Sequence, residues 1–285
     1  DWLLTGAPIA YRTPGYPWFI GLIRMFSDRP LFPLVCVQAL LWIATIGLTA
    51  SMAVEISGDS RSGWIVAAVS TVMISSVTYV ATILSETVLV FLIVLPVWTL
   101  VRFARAPSVF LALFVGASLA LAILVRPIAM LIWIADGIYL AASWYGAGWV
   151  CHQGVCRKRG LAGIAVAGLT AVAITTPWIV RNQSMFGKPM LTEFLGRNLW
   201  IVTFQGGSGA GLDFPAGKNG ERLVAGIGPQ QWSQMQSDQS WRLTWTVSDA
   251  LVSAGTDDAS ADRLMRAVAS DAIATDRGTF GRKTL

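Results

Sequence analysis

Charge is scarce in this chain. Of its 285 residues only 13% are Asp, Glu, Lys or Arg, against about 25% in ordinary soluble domains. That shortfall excludes a typical cytosolic enzyme. A hydrophobic fraction of 54% excludes a disordered chain. There is one histidine, and no H-E-x-x-H, G-x-S-x-G or Walker loop occurs. A zincin, a serine hydrolase of the elbow type and a nucleotide-hydrolysing engine are therefore disfavoured. Three cysteines, Cys36, Cys151 and Cys156, make no disulfide framework. No basic stripe with interleaved aromatics occurs, so the pI of 9.4 implies no nucleic-acid partner.

What is there is unevenly spread. Ten basic and six acidic residues fall at or before Val180, and eleven and ten after it. Within the charge-poor part, a transmembrane helix needs about 20 apolar residues. Six stretches fit or nearly fit: Leu31–Ala53, Trp64–Leu84, Thr87–Val101, Pro107–Val125, Pro127–Tyr145 and Leu161–Val180. Only the fifth holds a charge, Asp136. Trp18, Trp64, Trp98, Trp144 and Trp178 fall near span ends, where amphipathic rings settle. Arg61, Arg102, Arg105, Arg157, Lys158 and Arg159 share one set of loops, and Arg126 stands alone in the other. The bias toward cytoplasmic Lys and Arg then puts both ends of the chain outside. The expected fold is an all-α polytopic membrane bundle of about six transmembrane helices, followed by a mixed or mainly helical extracytoplasmic tail. Residues 1–30 are expected as an outer juxtamembrane or re-entrant segment, 31–180 as the six spans, and 181–285 as the tail. The chain begins at Asp1 without a signal peptide and ends just after Arg282-Lys283, and it reads as an internal piece of a longer membrane protein.

Small residues recur at Ala112, Gly116 and Ala120, and at Gly163, Ala167 and Ala171, faces that let helices approach closely. Eight glycines between Gly206 and Gly228 predict a long loop. Ala261, Leu264, Met265, Val268, Ala272 and Ile273 have the spacing of an amphipathic helix over Ser260–Asp276, with Ser260 as N-cap. Its apolar face either lies on the membrane surface or packs on its own domain.

Several residues carry chemistry. In Tyr11-Arg12-Thr13-Pro14-Gly15-Tyr16-Pro17 two prolines and a glycine fix a bend. Arg12 and Tyr16 there either meet a phosphate or serve as interfacial anchors. Glu86, at an outer hairpin, is a candidate base, metal ligand or hydroxyl-orienting group, or else a solvated turn residue. Arg126 and Arg181, at outer span ends, either clamp an anionic head group or snorkel to lipid. Asp136 is suited to a structural hydrogen bond or a proton relay. Cys151, His152 and Cys156 have poor spacing for zinc. Asn182-Gln183-Ser184 matches a glycosylation sequon.

Four of these strings, in order, resemble a known family. Arg12-Thr13-Pro14-Gly15-Tyr16-Pro17, Ser85-Glu86-Thr87, Val125-Arg126-Pro127 and Pro177-Trp178-Ile179-Val180-Arg181-Asn182 followed by Phe186-Gly187 are similar to motifs of polytopic GT-C class glycosyltransferases. The likeness is to the family-39-like group, which includes protein O-mannosyltransferases and the lipid A aminoarabinose transferase. The resemblance implies transfer of a sugar from a polyprenyl-phosphate donor on the outer face of an inner or plasma membrane. It implies that Arg12, Tyr16, Arg126, Arg181 and Asn182 border the donor. Glu86 would orient donor or acceptor, or hold a divalent metal. The family's catalytic Asp would lie upstream of Asp1, so these 285 residues alone are expected to be inactive. The other classes the composition allows are a transporter or flippase of lipid-linked sugars and a non-catalytic membrane subunit. A transporter is expected to show internal repeats and broken helices; no clear repeat occurs, and Pro96 is placed to break one span.

Overall fold

The computed structural model describes residues 8–73, 78–132, 134–135, 138, 154–205 and 211–284, with the side chains of 104–105, 154–159 and 283–284 outside that description. Asp1, Asp136, Trp144, Cys151 and His152 lie outside the described residues, as does the side chain of Cys156. Every described element is helical. The chain divides into two compact units. One is Thr13–Val180; the other joins the residues up to Arg12 with those from Arg181 onward.

The Thr13–Val180 unit holds α1 (Gly15–Arg24), α2 (Leu31–Ser57), α3 (Ser60–Thr71), α4 (Glu86–Arg105), α5 (Val109–Val125), and α6 (Gly154–Phe186) as far as Val180. Its helix ends follow local chemistry. Gly58 ends α2 at a left-handed φ of 73°, which glycine adopts without a Cβ clash. Asp59 then caps α3, its carboxylate accepting from Arg61 N–H at 2.9 Å. Ser108 caps α5 by accepting from Leu111 N–H at 3.2 Å. Helix α2 packs on α3 and α4, α4 on α5, and α5 on α1.

The small-residue stripes meet. A Cβ on Gly116 would come within 2.3 Å of the Ala167 carbonyl oxygen, so α5 and α6 touch backbone to backbone. Near one end Gly163 lies against the Phe103 ring. At that end too Arg102 pairs with Glu55 at 3.3 Å and covers the Trp98 ring at 4.0 Å. The opposite end holds Tyr16, Glu86 and Arg126.

Among the described residues three helices are long and apolar enough to cross a membrane: Leu31–Ser57, Glu86–Phe103 and Gly160–Phe186. Val109–Val125 is apolar but shorter. Large side chains such as Leu40, Ile43, Trp64, Phe110, Leu169 and Val172 are exposed. Apolar outer faces of this kind suit lipid as their solvent and would be a liability in water. These are the features of a helical membrane protein.

Two expected spans differ. Trp64–Leu84 is not one helix. Helix α3 stops at Thr71, and the carbonyls of Val80 and Thr82 are taken by the Gln38 amide at 2.8 and 3.0 Å rather than by helical N–H groups. The stretch from Pro127 opens with a 3-10 turn over Pro127–Ala129, and most of its remainder lies outside the described residues. Helix α4 continues through Pro96 without a break.

The second unit contains the end of α6, then α7 (Leu195–Phe204), α8 (Lys218–Ile227), α9 (Pro229–Ser237), α10 (Thr244–Ser253), α11 (Asp258–Thr275) and α12 (Arg277–Thr284). Its core is built from Trp200, Phe204, Leu223, Val247, Leu251, Met265 and Val268. The face of α11 expected at 261–273 is part of that core, so this helix packs on its own domain. Its cap is Asp257, not Ser260: the Asp257 carboxylate accepts from Ser260 N–H at 2.9 Å. The glycine-rich loop ends earlier than composition predicts, because α8 starts at Lys218. Gly220 is tolerated there by packing, since a Cβ would come within 2.6 Å of the Pro215 carbonyl oxygen.

Candidate functional site

Within the Thr13–Val180 unit, strings over a hundred residues apart in sequence converge. The Thr13 hydroxyl donates to the Val125 carbonyl at 3.0 Å. A Cβ on Gly15 would come within 2.6 Å of the Leu124 carbonyl. Glycine at this position therefore lets the start of α1 sit directly on the C-terminal end of α5, where Arg126 follows.

Arg126 reaches across to the start of α4. Its Nε donates to Ser85 Oγ at 2.9 Å and its Nη2 to Glu86 Oε1 at 2.5 Å. Glu86 is the first residue of its helix, where the exposed N–H groups favour a carboxylate. The pair is only partly covered, with side-chain exposures of 45% for Arg126 and 25% for Glu86. The second carboxylate oxygen, Oε2, is buried and has no hydrogen-bond partner among the described residues. A buried acceptor without a donor is costly, and a ligand hydroxyl, ammonium or cation would relieve that cost.

Tyr16 completes the group. Its hydroxyl donates to Gln38 Oε1 at 3.2 Å. Burial, and secondarily the negative charge of Glu86, push the Tyr16 phenol up to about 12. The phenol therefore remains a neutral donor at physiological pH. Gln38 is fully buried in α2. It was not among the residues singled out from sequence; the available signal was an amide inside a charge-free run.

The remaining sequence candidates belong to the second unit. Arg12 is exposed, with its guanidinium 5.4 Å from the Tyr11 ring centroid. Arg181 donates to Asn182 Oδ1 at 2.7 Å and to the Ile9 carbonyl at 3.4 Å. Asn182 is fully buried, and its Nδ2 donates to the carbonyls of Met190 and Leu191 at 2.9 and 3.2 Å. With both ends of its amide engaged, Asn182 is a structural brace. It shapes the ground around Arg181 and presents no free group to a donor lipid. Burial also takes the sequon asparagine out of reach of a glycan. Among the described residues no three His, Cys, Asp or Glu side chains come together as a metal site.

The second unit also contains a charged core that sequence reading missed. Arg197 is fully buried. Its Nη2 donates to Asp258 Oδ1 at 2.5 Å and to Ser248 Oγ at 2.8 Å, and its Nη1 donates to Asp262 Oδ1 at 3.3 Å. Asp262 also accepts from the N–H groups of Gly196 and Arg197, at 2.8 and 2.9 Å, and so caps α7 from another helix. Asp258 Oδ2 accepts from Ala10 N–H at 2.5 Å. The sequence signal was Asp258 and Asp262 one turn apart on α11. Every group in this cluster is satisfied, which is the condition for a buried ionic network to hold a fold together.

Comparison of the chain with models of known protein families, with curated proteins and with solved structures finds no match.

Proposed function

We propose that the chain is the membrane core of a glycosyltransferase that moves a sugar from a polyprenyl-phosphate donor to an acceptor on the extracytoplasmic face. The observation that carries this reading is the convergence of Tyr16, Ser85-Glu86 and Arg126 at one end of the Thr13–Val180 unit, with Glu86 Oε2 buried and unpartnered. These belong to three of the four strings that resemble the GT-C family.

In this reading the Tyr16–Glu86–Arg126 end faces outward. The clustering of Arg61 and Arg102 at the other end supports that sidedness through the preference of Lys and Arg for cytoplasmic loops. The lipid phosphate is the leaving group. Arg126, half exposed and anchored on Ser85 and Glu86, stabilises its developing charge. Glu86 orients a sugar or acceptor hydroxyl through Oε2, or holds a divalent cation there. Because the donor is lipid-linked, no nucleotide-binding loop is needed. Helix α4 runs through Pro96 without a break, so that residue gives no support to a transporter reading.

The test is transfer from a polyprenyl-phosphate sugar by the full-length protein and its Glu86→Gln variant. The Glu86–Arg126 pair is partly exposed and contributes at most about 1 kcal/mol to stability. Glu86→Gln is therefore expected to insert and fold normally while transfer falls at least about tenfold. Wild-type turnover in a normally inserted variant would reduce Glu86 to a hairpin residue.

A further inference from the structure

The deepest polar side chain at this end of the bundle is Gln38. It is fully buried in α2, a helix of 27 residues with one charge. Burying an amide among apolar side chains is unfavourable unless its donors and acceptor are matched. Here both donors are used, Nε2 bonding the Val80 carbonyl at 2.8 Å and the Thr82 carbonyl at 3.0 Å. Those two carbonyls fix which end of the amide is nitrogen, because a flipped amide would set oxygen against oxygen. Oε1 must then face Tyr16, and it can only accept. The Tyr16 hydroxyl is thereby obliged to spend its one proton on Gln38.

A phenol that has given away its proton in this way has only lone pairs left for anything else. Glu86, whose charge Tyr16 feels, offers its buried Oε2 as a second acceptor without a partner. The two groups present acceptors only. We propose that Gln38 is a positioning residue that fixes Tyr16 as a hydrogen-bond acceptor beside Glu86, so that this end of the bundle selects a ligand bearing neighbouring hydroxyl donors, the pattern of a sugar ring. The ligand class rests on the glycosyltransferase reading; the polarity set by Gln38 does not. Gln38 also ties residues 80–82 to α2, just ahead of Ser85-Glu86, so the same amide holds the hairpin that carries the carboxylate.

Two measurements on the full-length protein separate these points. The first is the tyrosine Fermi doublet in the Raman spectrum, taken as wild type minus Tyr16→Phe, which reports whether Tyr16 donates or accepts. A donor signature is expected, lost in Gln38→Leu; an acceptor or free signature in the wild type overturns the assignment, whatever the protein's activity. The second is binding of a polyprenyl-phosphate sugar against bare polyprenyl phosphate in nanodiscs. Wild type is expected to prefer the sugar-bearing lipid. Tyr16→Phe and Gln38→Leu are each expected to lose about three- to tenfold of that preference, the effect of one neutral hydrogen bond. Affinity for the bare lipid should stay the same. Tyr16→Phe removes one oxygen and leaves the Gln38 tether to residues 80–82, so it serves if Gln38→Leu does not fold. Full preference retained in Tyr16→Phe overturns the positioning role. A wild type that shows the donor signature but no preference for the sugar-bearing lipid overturns the ligand class and the glycosyltransferase reading together, and leaves the Gln38–Tyr16 polarity standing.

Discussion

Arg126 and Glu86 are 40 residues apart in sequence, and the Nη2 of one donates to the Oε1 of the other. The pairing gives both side chains a fixed direction. Arg126 Nε is held by Ser85 at the same time, so the Nε–Nη2 edge of the guanidinium is anchored on consecutive residues. A snorkelling arginine would have no such anchor. Glu86 in turn directs one oxygen at Arg126 and keeps the other buried, without a partner among the described residues.

Tyr16 gives this group a pH signature. Its phenol is pushed up from 10.0 to about 12, by burial first and by Glu86 second. In an alkaline absorbance titration, wild type minus Tyr16→Phe should therefore show a tyrosine still protonated at about pH 11, where a free phenol is largely ionised. Glu86→Gln should bring it part of the way back, because only the second cause is removed. The sign for stability follows. Between pH 10 and about 12 the folded state holds a proton that the unfolded chain has released, so stability falls as pH rises through that window.

Arg197 is expected to matter more for folding than any candidate site residue. Arg197→Met leaves Asp258 and Asp262 buried without their cation, which costs about 3–5 kcal/mol. Adding Asp258→Asn should recover part of that loss, since an amide tolerates burial better than an unpaired carboxylate. Thermal unfolding of the three proteins in the same detergent checks the order: wild type highest, the double variant next, Arg197→Met lowest.

Sidedness is open to direct measurement. Asp238 is exposed in the second unit and Arg61 is exposed at the start of α3. With the second unit outside and the basic loops inside, Asp238→Cys should react with an impermeant thiol reagent in whole cells and Arg61→Cys should not. The three native cysteines, Cys36, Cys151 and Cys156, are first replaced by Ser. Labelling of position 61 but not 238 inverts the topology.

Some of this was legible in the residues. Charge-free runs marked the long helices α2, α4 and α6, because length and apolarity are local properties. The stripe through Gly116 and the one through Ala167 were readable as small-residue faces, and contact between them needed only their register. Capping was readable to within a few residues: Asp257 and Ser260 are both good N-caps, and the choice between them depends on where the backbone turns. Partners were not legible. Nothing near Arg126 in sequence points to Ser85 and Glu86, and Gln38 looks like one polar residue tolerated in a span. Trp64–Leu84 failed as a single helix although its hydropathy is continuous: hydropathy registers neither the end of α3 at Thr71 nor the glutamine on another helix that takes the carbonyls of Val80 and Thr82. Arg197 went unnoticed because its partners are 61 and 65 residues away.

Arg126 separates a phosphate-binding role from an anchoring one. If its guanidinium holds the lipid phosphate, Arg126→Ala removes a charge-assisted contact worth about 1.5–3 kcal/mol, or about ten- to hundredfold in transfer efficiency. It also frees Glu86 Oε1, but the pair is partly exposed, so the stability change should stay near 1 kcal/mol or less. Arg126→Lys should recover only part of the rate. An ammonium keeps the charge but lacks the planar fork that donates to Ser85 and Glu86 from one edge while turning Nη1 to a phosphate. Arg181→Ala and Arg181→Lys provide the parallel case in the second unit, where the guanidinium is already bonded to Asn182 and Ile9. The measurement is transfer from a polyprenyl-phosphate sugar by the four purified full-length variants, alongside their melting temperatures. An arginine that only anchors its helix to lipid would let Lys substitute fully and make Ala cheap. Rates near wild type in both Ala variants would therefore remove the phosphate contact and leave Glu86 and Tyr16 as the groups on which the glycosyltransferase reading stands.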